Sequence, residues 1–422
     1  MYDLLVLGGG AAGLMAAALA AKQTQAAQPA RVTKSASGGS GGSVPQPSAP
    51  LRVAILEKES RVGKKLLATG NGTCNLSNIA AAPERYHGGR DFADAVLSCV
   101  SVDDVRAFFH GIGLETVARE DGRIYPLCGH AGAVLDCLRM VGKAEEKTDC
   151  TAESICPIDG GFAVRTSQGE FQSRFVLACT GGAASASADG YPLLTALGHR
   201  VTPLHAAVVP VSTDKTYVKA MSGMRVDARV TCLLDGHTLQ SECGEVLFTD
   251  YGVSGPAVLQ LSRHAGAWEQ DRRGNLTLEL DLLPDMTEQD LRAHLEFRLS
   301  LNRMGEDFLT GLFHRRIGQT LVRAAGGRLA EPVKDIDALC RVIRHFPLPV
   351  TGTKGLPHAQ VTAGGVDTAE VEAATMESKL IQGLYLAGEV LDVDGDCGGF
   401  NLHFAWCTAI LAMADIRRRL GR

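Results

Sequence analysis

The pattern of apolar and polar positions predicts a mixed α/β chain. Apolar runs at residues 2–7 and 52–57 predict two short buried strands. The Ala-rich stretch LMAAALAAK follows the first of them and predicts a helix. Residues 161–167 and 171–178 predict two more strands, and residues 381–389 are typical of a strand followed by a glycine and an acid. The two ends of the chain are therefore expected to build one domain together.

The middle of the chain has different patterns. Residues 207–283 contain alternating runs such as RVDARVTCLL and NLTLELDLL, which predict strands. Residues 286–343 contain three segments with helical spacing, MTEQDLRAHLEFRLSL, RRIGQTLVRAA and VKDIDALCRVIRHF. Thr287 is expected to start the first helix, because Glu288 and Asp290 fall in its first turn.

A glycine motif joins the first strand to the first helix. Gly8, Gly10 and Gly13 form G-x-G-x-x-G, with Ala11 and Ala12 between the last two glycines. In this context Gly8 permits the tight turn, Gly10 lets the backbone approach a pyrophosphate, and Gly13 lets the helix pack closely on the strand. The phosphates are then expected at the helix N-terminus, where free N–H groups and the helix dipole favour negative charge.

The same motif calls for an acid at the end of the second strand, about 20 residues further on. Glu57 occupies that place and is expected to hold ribose hydroxyls, although the spacing is much longer. Residues 24–50 account for the extra length, because their Gly-, Ser-, Pro- and Gln-rich sequence is typical of a flexible insertion. Two later turns carry similar signals: Thr180 and Gly181 end one predicted strand, and Gly388 and Glu389 end another.

Composition narrows the possible functions. A chain of 422 residues suggests two to three domains, and a hydrophobic fraction of 45% fits a globular protein with a large core. The net charge of −5, with no strongly basic half, gives no support for nucleic-acid binding. The twelve cysteines include no CxxC pair, so neither a zinc site nor a thioredoxin-like centre is predicted.

The N-terminal segment is apolar, but it lacks a basic region and contains three consecutive glycines, so it does not predict a signal peptide. No run reaches the roughly 18 apolar residues of a membrane helix. We therefore expect a cytoplasmic protein that binds a small-molecule substrate, without nucleic-acid or membrane partners; the sequence does not indicate its oligomeric state. In the stretch TGNGTCNLSN, residues 69–78, the two glycosylation sequons are then chance matches, and a metal site lacks partner ligands.

Taken together, these motifs resemble the BaiN/RdsA family of FAD-dependent, NAD(P)-linked flavoproteins. The matching segments are GGGAAG (8–13), GKKLLATGNGTCNLSN (63–78), GRIYPLCGHAGAVLDCL (122–138), CTGGAASASADGYPLLTALGH (179–199), LFTDYGVSGPAVLQLS (247–262) and residues 354–406. The chain departs from the family at Thr73, where Arg is usual, at His403, where Gln is common, and in the 24–50 insertion. Loss of the Arg removes a fixed cation and weakens any assignment of an anionic substrate.

The resemblance implies an α/β fold with three parts. The Rossmann-like FAD-binding domain would comprise residues 1–190 and 356–422. An inserted β-rich domain would comprise residues 191–285 and 344–355, and a small helical domain residues 286–343.

The resemblance also implies a cofactor site. The expected FAD-contacting residues are Gly8, Gly10, Ala11, Ala12, Gly13, Glu57, Lys58, Lys65, Gly70, Asn71, Cys74, Asn75, Ala152, Thr180, Gly181, Gly388, Glu389, Gly399, Asn401 and Leu402. The N–H groups at the turn before the last helix are expected to face the negative charge of reduced flavin. The candidate catalytic residues are Arg123, Tyr125 and His403.

Three functions remain open on these grounds. The first is an FAD-dependent oxidoreductase acting on a small or hydrophobic carbonyl, enone or amine compound. Because the glycine motif occurs only once, NAD(P)H would then dock transiently at the flavin, or the substrate itself would reduce the flavin. The second is a plain NAD-dependent dehydrogenase, which would not need the distant C-terminal segment. The third is a flavin-binding sensor or an RNA-modifying flavoprotein.

Overall fold

A computed structural model describes residues 1–21, 51–184 and 190–422. The predicted insertion at residues 24–50 lies outside the described residues. In that part of the chain the α-helices, numbered in chain order, are α1 Ala11–Ala21, α2 Lys64–Ala68, α3 Arg90–Cys99, α4 Val102–His110, α5 Ala131–Val141, α6 Gly190–Thr195, α7 Lys215–Val218, α8 Pro256–Asp271, α9 Glu288–Leu299, α10 Arg315–Ala324, α11 Ile336–Arg344 and α12 Phe400–Arg419.

The β-strands of the described residues are β1 Tyr2–Leu7, β2 Val53–Leu56, β3 Ser77–Asn78, β4 Tyr86–Gly88, β5 Thr116–Ala118, β6 Arg123–Pro126, β7 Glu145–Lys147, β8 Ala152–Ile158, β9 Gly161–Thr166, β10 Gly169–Ala178, β11 His205–Ala207, β12 Val211–Thr213, β13 Arg225–Leu234, β14 His237–Phe248, β15 Gly252–Ser254, β16 Leu276–Asp281, β17 Phe346–Thr353, β18 Val361–Ala363, β19 Leu384–Leu386 and β20 Val393–Gly395.

The described chain divides into two compact units. The first contains both termini, namely residues 1–21, 51–182, 190–202 and 364–422. The second contains residues 183–184 and 203–363. The Rossmann-like α/β fold built from the two ends of the chain is thus confirmed. The finer division, with residues 286–343 as a separate helical domain, stays a prediction.

The first unit is organised by a seven-stranded sheet. Its order is β7-β2-β1-β10-β9-β8, and β19 pairs with the C-terminal half of β10. Strands β7, β2, β1, β10 and β19 run parallel, so their carboxyl ends lie at one edge of the sheet. Strand β2 is buried along its whole length and β1 in its last four residues, which explains their continuous apolar sequence. Helices α1 and α12 pack against each other beside this sheet.

The second unit is organised by a closed barrel, with the strand order β12-β15-β14-β13-β16-β17. The alternating run RVDARVTCLL forms β13 over Arg225–Leu234, and it directs Ala228, Val230 and Cys232 inward. The barrel core is continuous with buried residues of α9, α10 and α11. Helix α9 begins after Thr287, whose side chain accepts the Asp290 N–H, as the sequence predicted.

Candidate functional site

The carboxyl end of β1 leads into the glycine turn. Gly8 has a φ of +100°, and a side chain there would clash with the Cys179 carbonyl oxygen at the end of β10. A side chain at Gly13 would clash with the Gly8 carbonyl oxygen, so α1 can lie close to β1 only with glycine at this position. No atom of residues 1–21, 51–184 or 190–422 lies within 4 Å of a Cβ built at Gly10. The turn therefore leaves an open approach to backbone N–H groups just before Ala11 and Ala12 at the start of α1.

Glu57 stands directly after β2 and is buried. Its Oε2 accepts the Gly9 N–H at 2.7 Å, and its Oε1 accepts the Glu59 N–H at 2.9 Å. These two bonds fix the carboxylate against the glycine turn. They use about half of its acceptor sites, so it retains the capacity to bind ribose hydroxyls.

Two further predicted residues flank this acid. Lys58 follows it directly in sequence. The Cys150 N–H donates to the Glu57 carbonyl at 2.9 Å, which brings Ala152, the first residue of β8, to the same end of the sheet.

The ends of β10 and β19 meet beside the glycine turn. Lys65 Nζ lies 2.6 Å from Glu389 Oε2, which also accepts the Gly182 N–H at 3.3 Å. Gly388 has a φ of +78° and packs against α1, where a Cβ would lie 3.3 Å from Ala12 Cβ. Glu389 is therefore already held by a cation and an amide, and Gly181 adjoins its carboxylate.

The residues of the 69–75 stretch form a turn dominated by left-handed backbone. Gly70, Asn71, Gly72 and Cys74 all have φ values between +53° and +86°. Burial raises the pKa of the Cys74 thiol to about 12, so at neutral pH it is an uncharged packing group rather than a nucleophile. Oδ1 of Asn75 is buried and has no hydrogen-bond partner in the part of the chain that the structure describes.

The turn before α12 lies against that stretch. Gly399 has a φ of +98°, and a Cβ there would lie 2.6 Å from Asn75 Oδ1 and 2.5 Å from the Ser77 carbonyl oxygen. The Asn401 side chain is hydrogen-bonded within the turn. Its Oδ1 accepts the Gly395 N–H at 2.8 Å and its Nδ2 donates to the Gly395 carbonyl at 2.7 Å. Asn401 and Leu402 can contribute their backbone N–H groups at the start of α12.

Two of the three catalytic candidates share one face of β6. Arg123 and Tyr125 are two residues apart and so point to the same side, whereas Ile124 between them is fully buried. A Cβ built at Gly70 would lie 3.7 Å from the Tyr125 ring, which places this face beside the left-handed turn.

Arg119, which was not among the predicted residues, stacks its guanidinium over the Tyr125 ring at 4.1 Å. It lies on the β5–β6 hairpin connection, and its pairing with Tyr125 follows from the hairpin register rather than from any sequence motif.

The third catalytic candidate, His403, lies inside the protein. Its Nδ1 is 3.0 Å from Ser77 Oγ and its Nε2 is 3.5 Å from Cys407 Sγ. Burial lowers its pKa to about 4, so the ring is neutral at physiological pH. Both nitrogens have protein partners, and this arrangement favours a structural role over proton transfer.

These features fit FAD. The open space at Gly10 suits a pyrophosphate, and the acceptors of Glu57 suit the adenosine ribose. Two buried oxygens without partners, Asn75 Oδ1 and Thr180 Oγ1, lie in predicted cofactor-contacting residues. A buried polar atom without a partner is costly, so a ligand that bonds to both would stabilise the folded chain.

In the part of the chain that the structure describes, no group of three or more His, Cys, Asp and Glu side chains could hold a metal ion. None of the helices described is long and apolar enough to cross a membrane.

Comparison with known proteins identifies relatives along the whole chain. Residues 36–415 match the family described as HI0933-like protein Rossmann domain. The chain is 35% identical to the 3-dehydro-bile acid delta(4,6)-reductase of Clostridium scindens, with 98% of each chain covered. It is 27% identical to the ribosomal RNA dihydrouridine synthase of Haemophilus influenzae, again over 98% of each.

Among solved structures, 3-ketosteroid delta1-dehydrogenase from Sterolibacterium denitrificans, in complex with 1,4-androstadiene-3,17-dione, has a TM-score of 0.51 at 12% identity. The match covers 99% of each chain. At this level of identity the likeness concerns the fold.

Proposed function

The chain belongs to the HI0933-like family of Rossmann-domain proteins and is an FAD-dependent oxidoreductase, and we propose that it reduces a carbon–carbon double bond conjugated to a carbonyl group in a steroid-like substrate such as a 3-oxo bile acid. The observation that carries this proposal is the 35% identity to a bile-acid reductase over 98% of both chains.

The geometry supports the cofactor part of the proposal. Glu57, the glycine turn and the start of α12 all belong to the first unit, and the first two stand where the parallel strands end. Ligands of open α/β sheets bind at that edge. When bound, FAD would supply hydride transfer between a nicotinamide and the substrate double bond. The protein's part is to bind the cofactor, to orient the substrate and to deliver a proton.

Tyr125 is the best proton donor among the three catalytic candidates. Reduction of an enone adds a hydride to the β-carbon and a proton to the α-carbon, so one acidic group is required. The Tyr125 ring lies beside the 69–75 turn, whereas His403 is enclosed by protein partners. Arg119 and Arg123 on the same hairpin provide cations for the carboxylate of a bile acid, which compensates for the family arginine replaced by Thr73.

We propose NAD(P)H as a transient reductant. The glycine motif occurs once in the sequence, so the nicotinamide nucleotide would have no second Rossmann unit of its own. We also propose a cytoplasmic location, because all twelve cysteines are free thiols, as in proteins of reducing compartments.

The experiment is an anaerobic two-step assay. Purified protein loaded with FAD is first mixed with NADH or NADPH and then with a 3-oxo-Δ4 bile acid. We expect the flavin absorbance to bleach in the first step and to return in the second, with a product two hydrogens heavier. Tyr125→Phe is expected to keep the first step and to slow the second by a hundredfold or more, the range typical of general acids. A flavin that no enone reoxidises would overturn the proposal.

The second candidate is reduction of uridine in RNA, favoured by the 27% identity to a ribosomal RNA dihydrouridine synthase. The net charge of −5 counts against it, because RNA binding relies on cationic surface. Flavin reoxidation by ribosomal RNA, with dihydrouridine in the product and no reaction with the bile acid, would select this function instead.

A further inference from the structure

A buried tyrosine outside the predicted site has a hydroxyl group with no hydrogen-bond partner among the described residues. Tyr191, in α6, is 5% exposed, and its Oη has no hydrogen-bond partner in the described part of the chain. Burial raises the pKa of this phenol well above its usual value, with smaller contributions from the carboxylates of Glu389 and Asp392. The hydroxyl is therefore protonated at any physiological pH and can donate a hydrogen bond.

The surroundings of Tyr191 are those of the cofactor edge. Gly190, the residue before it, packs so closely on Thr180 that a Cβ would clash with Thr180 Oγ1. Thr180 Oγ1 is the second buried oxygen without a partner in this part of the fold. Glu389, whose charge acts on Tyr191, also accepts the Gly182 N–H. The two hydroxyls without a described partner thus belong to residues that pack together at the end of β10 and the start of α6, in the same part of the fold as Glu389.

We propose that Tyr191 and Thr180 bind the ribityl hydroxyls of FAD together with Glu389. This inference rests on the proposed function, because it assumes FAD as the ligand. A ribityl chain carries several hydroxyls, each of which both donates and accepts. It can therefore accept from the tyrosine, bond to the threonine and donate to the carboxylate. The same contacts would remove the cost of leaving two buried polar atoms without partners.

The test uses Tyr191→Phe and compares the free protein with the FAD complex. In the free protein this substitution removes only a hydroxyl that has no partner, so we expect the melting temperature to stay the same or to rise. In the complex it removes one hydrogen bond, so we expect the Kd for FAD to rise about three- to tenfold. Opposite effects on the free and bound forms are a signature that a merely structural tyrosine would not give.

Tyr385→Phe is the matched control. Tyr385 is also buried, but its hydroxyl already donates to Asp415 Oδ2 at 2.7 Å. Its removal should lower the melting temperature of the free protein and leave FAD affinity unchanged. Thr180→Val, which replaces the second hydroxyl by a methyl group of similar size, should reproduce the pattern of Tyr191→Phe.

The outcomes distinguish a failure of the proposed function from a failure of this inference alone. If the wild-type protein takes up no FAD, the proposed function fails and this inference fails with it. If the wild type binds FAD and both Tyr191→Phe and Thr180→Val bind it equally well, this inference alone is overturned. A Tyr191→Phe protein that loses stability as Tyr385→Phe does would also overturn it, because the hydroxyl would then have a protein partner.

Discussion

His403→Gln separates a structural role of this histidine from a catalytic one. The side chain is 1% exposed, and burial lowers its pKa from 6.5 to about 4. Because the folded pKa is the lower one, the unfolded chain binds more protons between pH 6.5 and pH 4. The contribution of the neutral, buried His403 to the free energy of unfolding is therefore fully present above about pH 6.5. It is lost as the pH falls towards 4. A difference of roughly 2.5 pKa units corresponds to about 3 kcal/mol.

Glutamine cannot ionise in this range, yet its amide can still bond to the Ser77 hydroxyl. We would measure denaturant unfolding of the free wild-type and variant proteins at several values between about pH 4 and pH 7. Carboxylates titrate alike in both proteins, so the difference between the two curves reports on His403. As the pH falls, the free energy of unfolding of the variant should rise relative to that of the wild type. Parallel curves would refute the assigned burial of a neutral imidazole.

The same variant addresses catalysis. If His403 only packs between Ser77 and Cys407, kcat should change by no more than a few-fold while FAD stays bound. A loss of a hundredfold or more with full flavin content is the range expected for removing a general acid or base, and it would support the catalytic assignment.

Three further substitutions test other parts of the site. Gly399→Ala should abolish FAD retention, because the added Cβ would clash with Asn75 and Ser77. Gly113→Ala is the control: its φ of +85° is similar, but the space around it is open, so this variant should retain flavin. Equal retention by both variants would contradict the steric argument. Glu57→Gln should weaken FAD binding by about 1–3 kcal/mol in titrations, since the neutral side chain has one acceptor oxygen in place of two and leaves less acceptor capacity for the ribose hydroxyls beside the Gly9 and Glu59 N–H groups; unchanged affinity would remove Glu57 from the site. Thr73→Arg should change substrate turnover more than flavin content, and flavin loss with unchanged turnover per flavin would refute this.

Much of the backbone could be predicted because it depends on local pattern. The apolar run Tyr2–Leu7 and the alternating run Arg225–Leu234 coincide with β1 and β13. The glycine turn could be predicted equally well, since Gly8 and Gly13 are required by contacts with the adjacent strand and within the turn, and Gly10 belongs to the same short motif. Such signals need only neighbours in sequence or the next strand in the sheet.

The side-chain pairings of the site could not be predicted in the same way. Lys65 and Glu389 are 324 positions apart, and Ser77 and His403 are 326 apart. Whether such groups meet depends on the register of β3 and α12 across the whole unit. For the same reason the sequence does not show that the side-chain amide of Asn401 bonds to Gly395, six residues earlier. Sequence identifies the polar groups near a ligand; packing decides which of them remain available to bind it.

The turn at residues 70–74 depends both on local sequence and on packing. Glycine and asparagine tolerate left-handed backbone, so Gly70, Asn71 and Gly72 indicate such a turn from composition alone. Cys74, with a φ of +57°, does not, and a side chain in this region costs about 1–2 kcal/mol. Its burial offsets that cost by packing, and the conformation leads directly into Asn75, whose Oδ1 has no partner. The backbone strain therefore lies next to the residue expected to contact the cofactor, as is common where a binding site is formed before its ligand arrives.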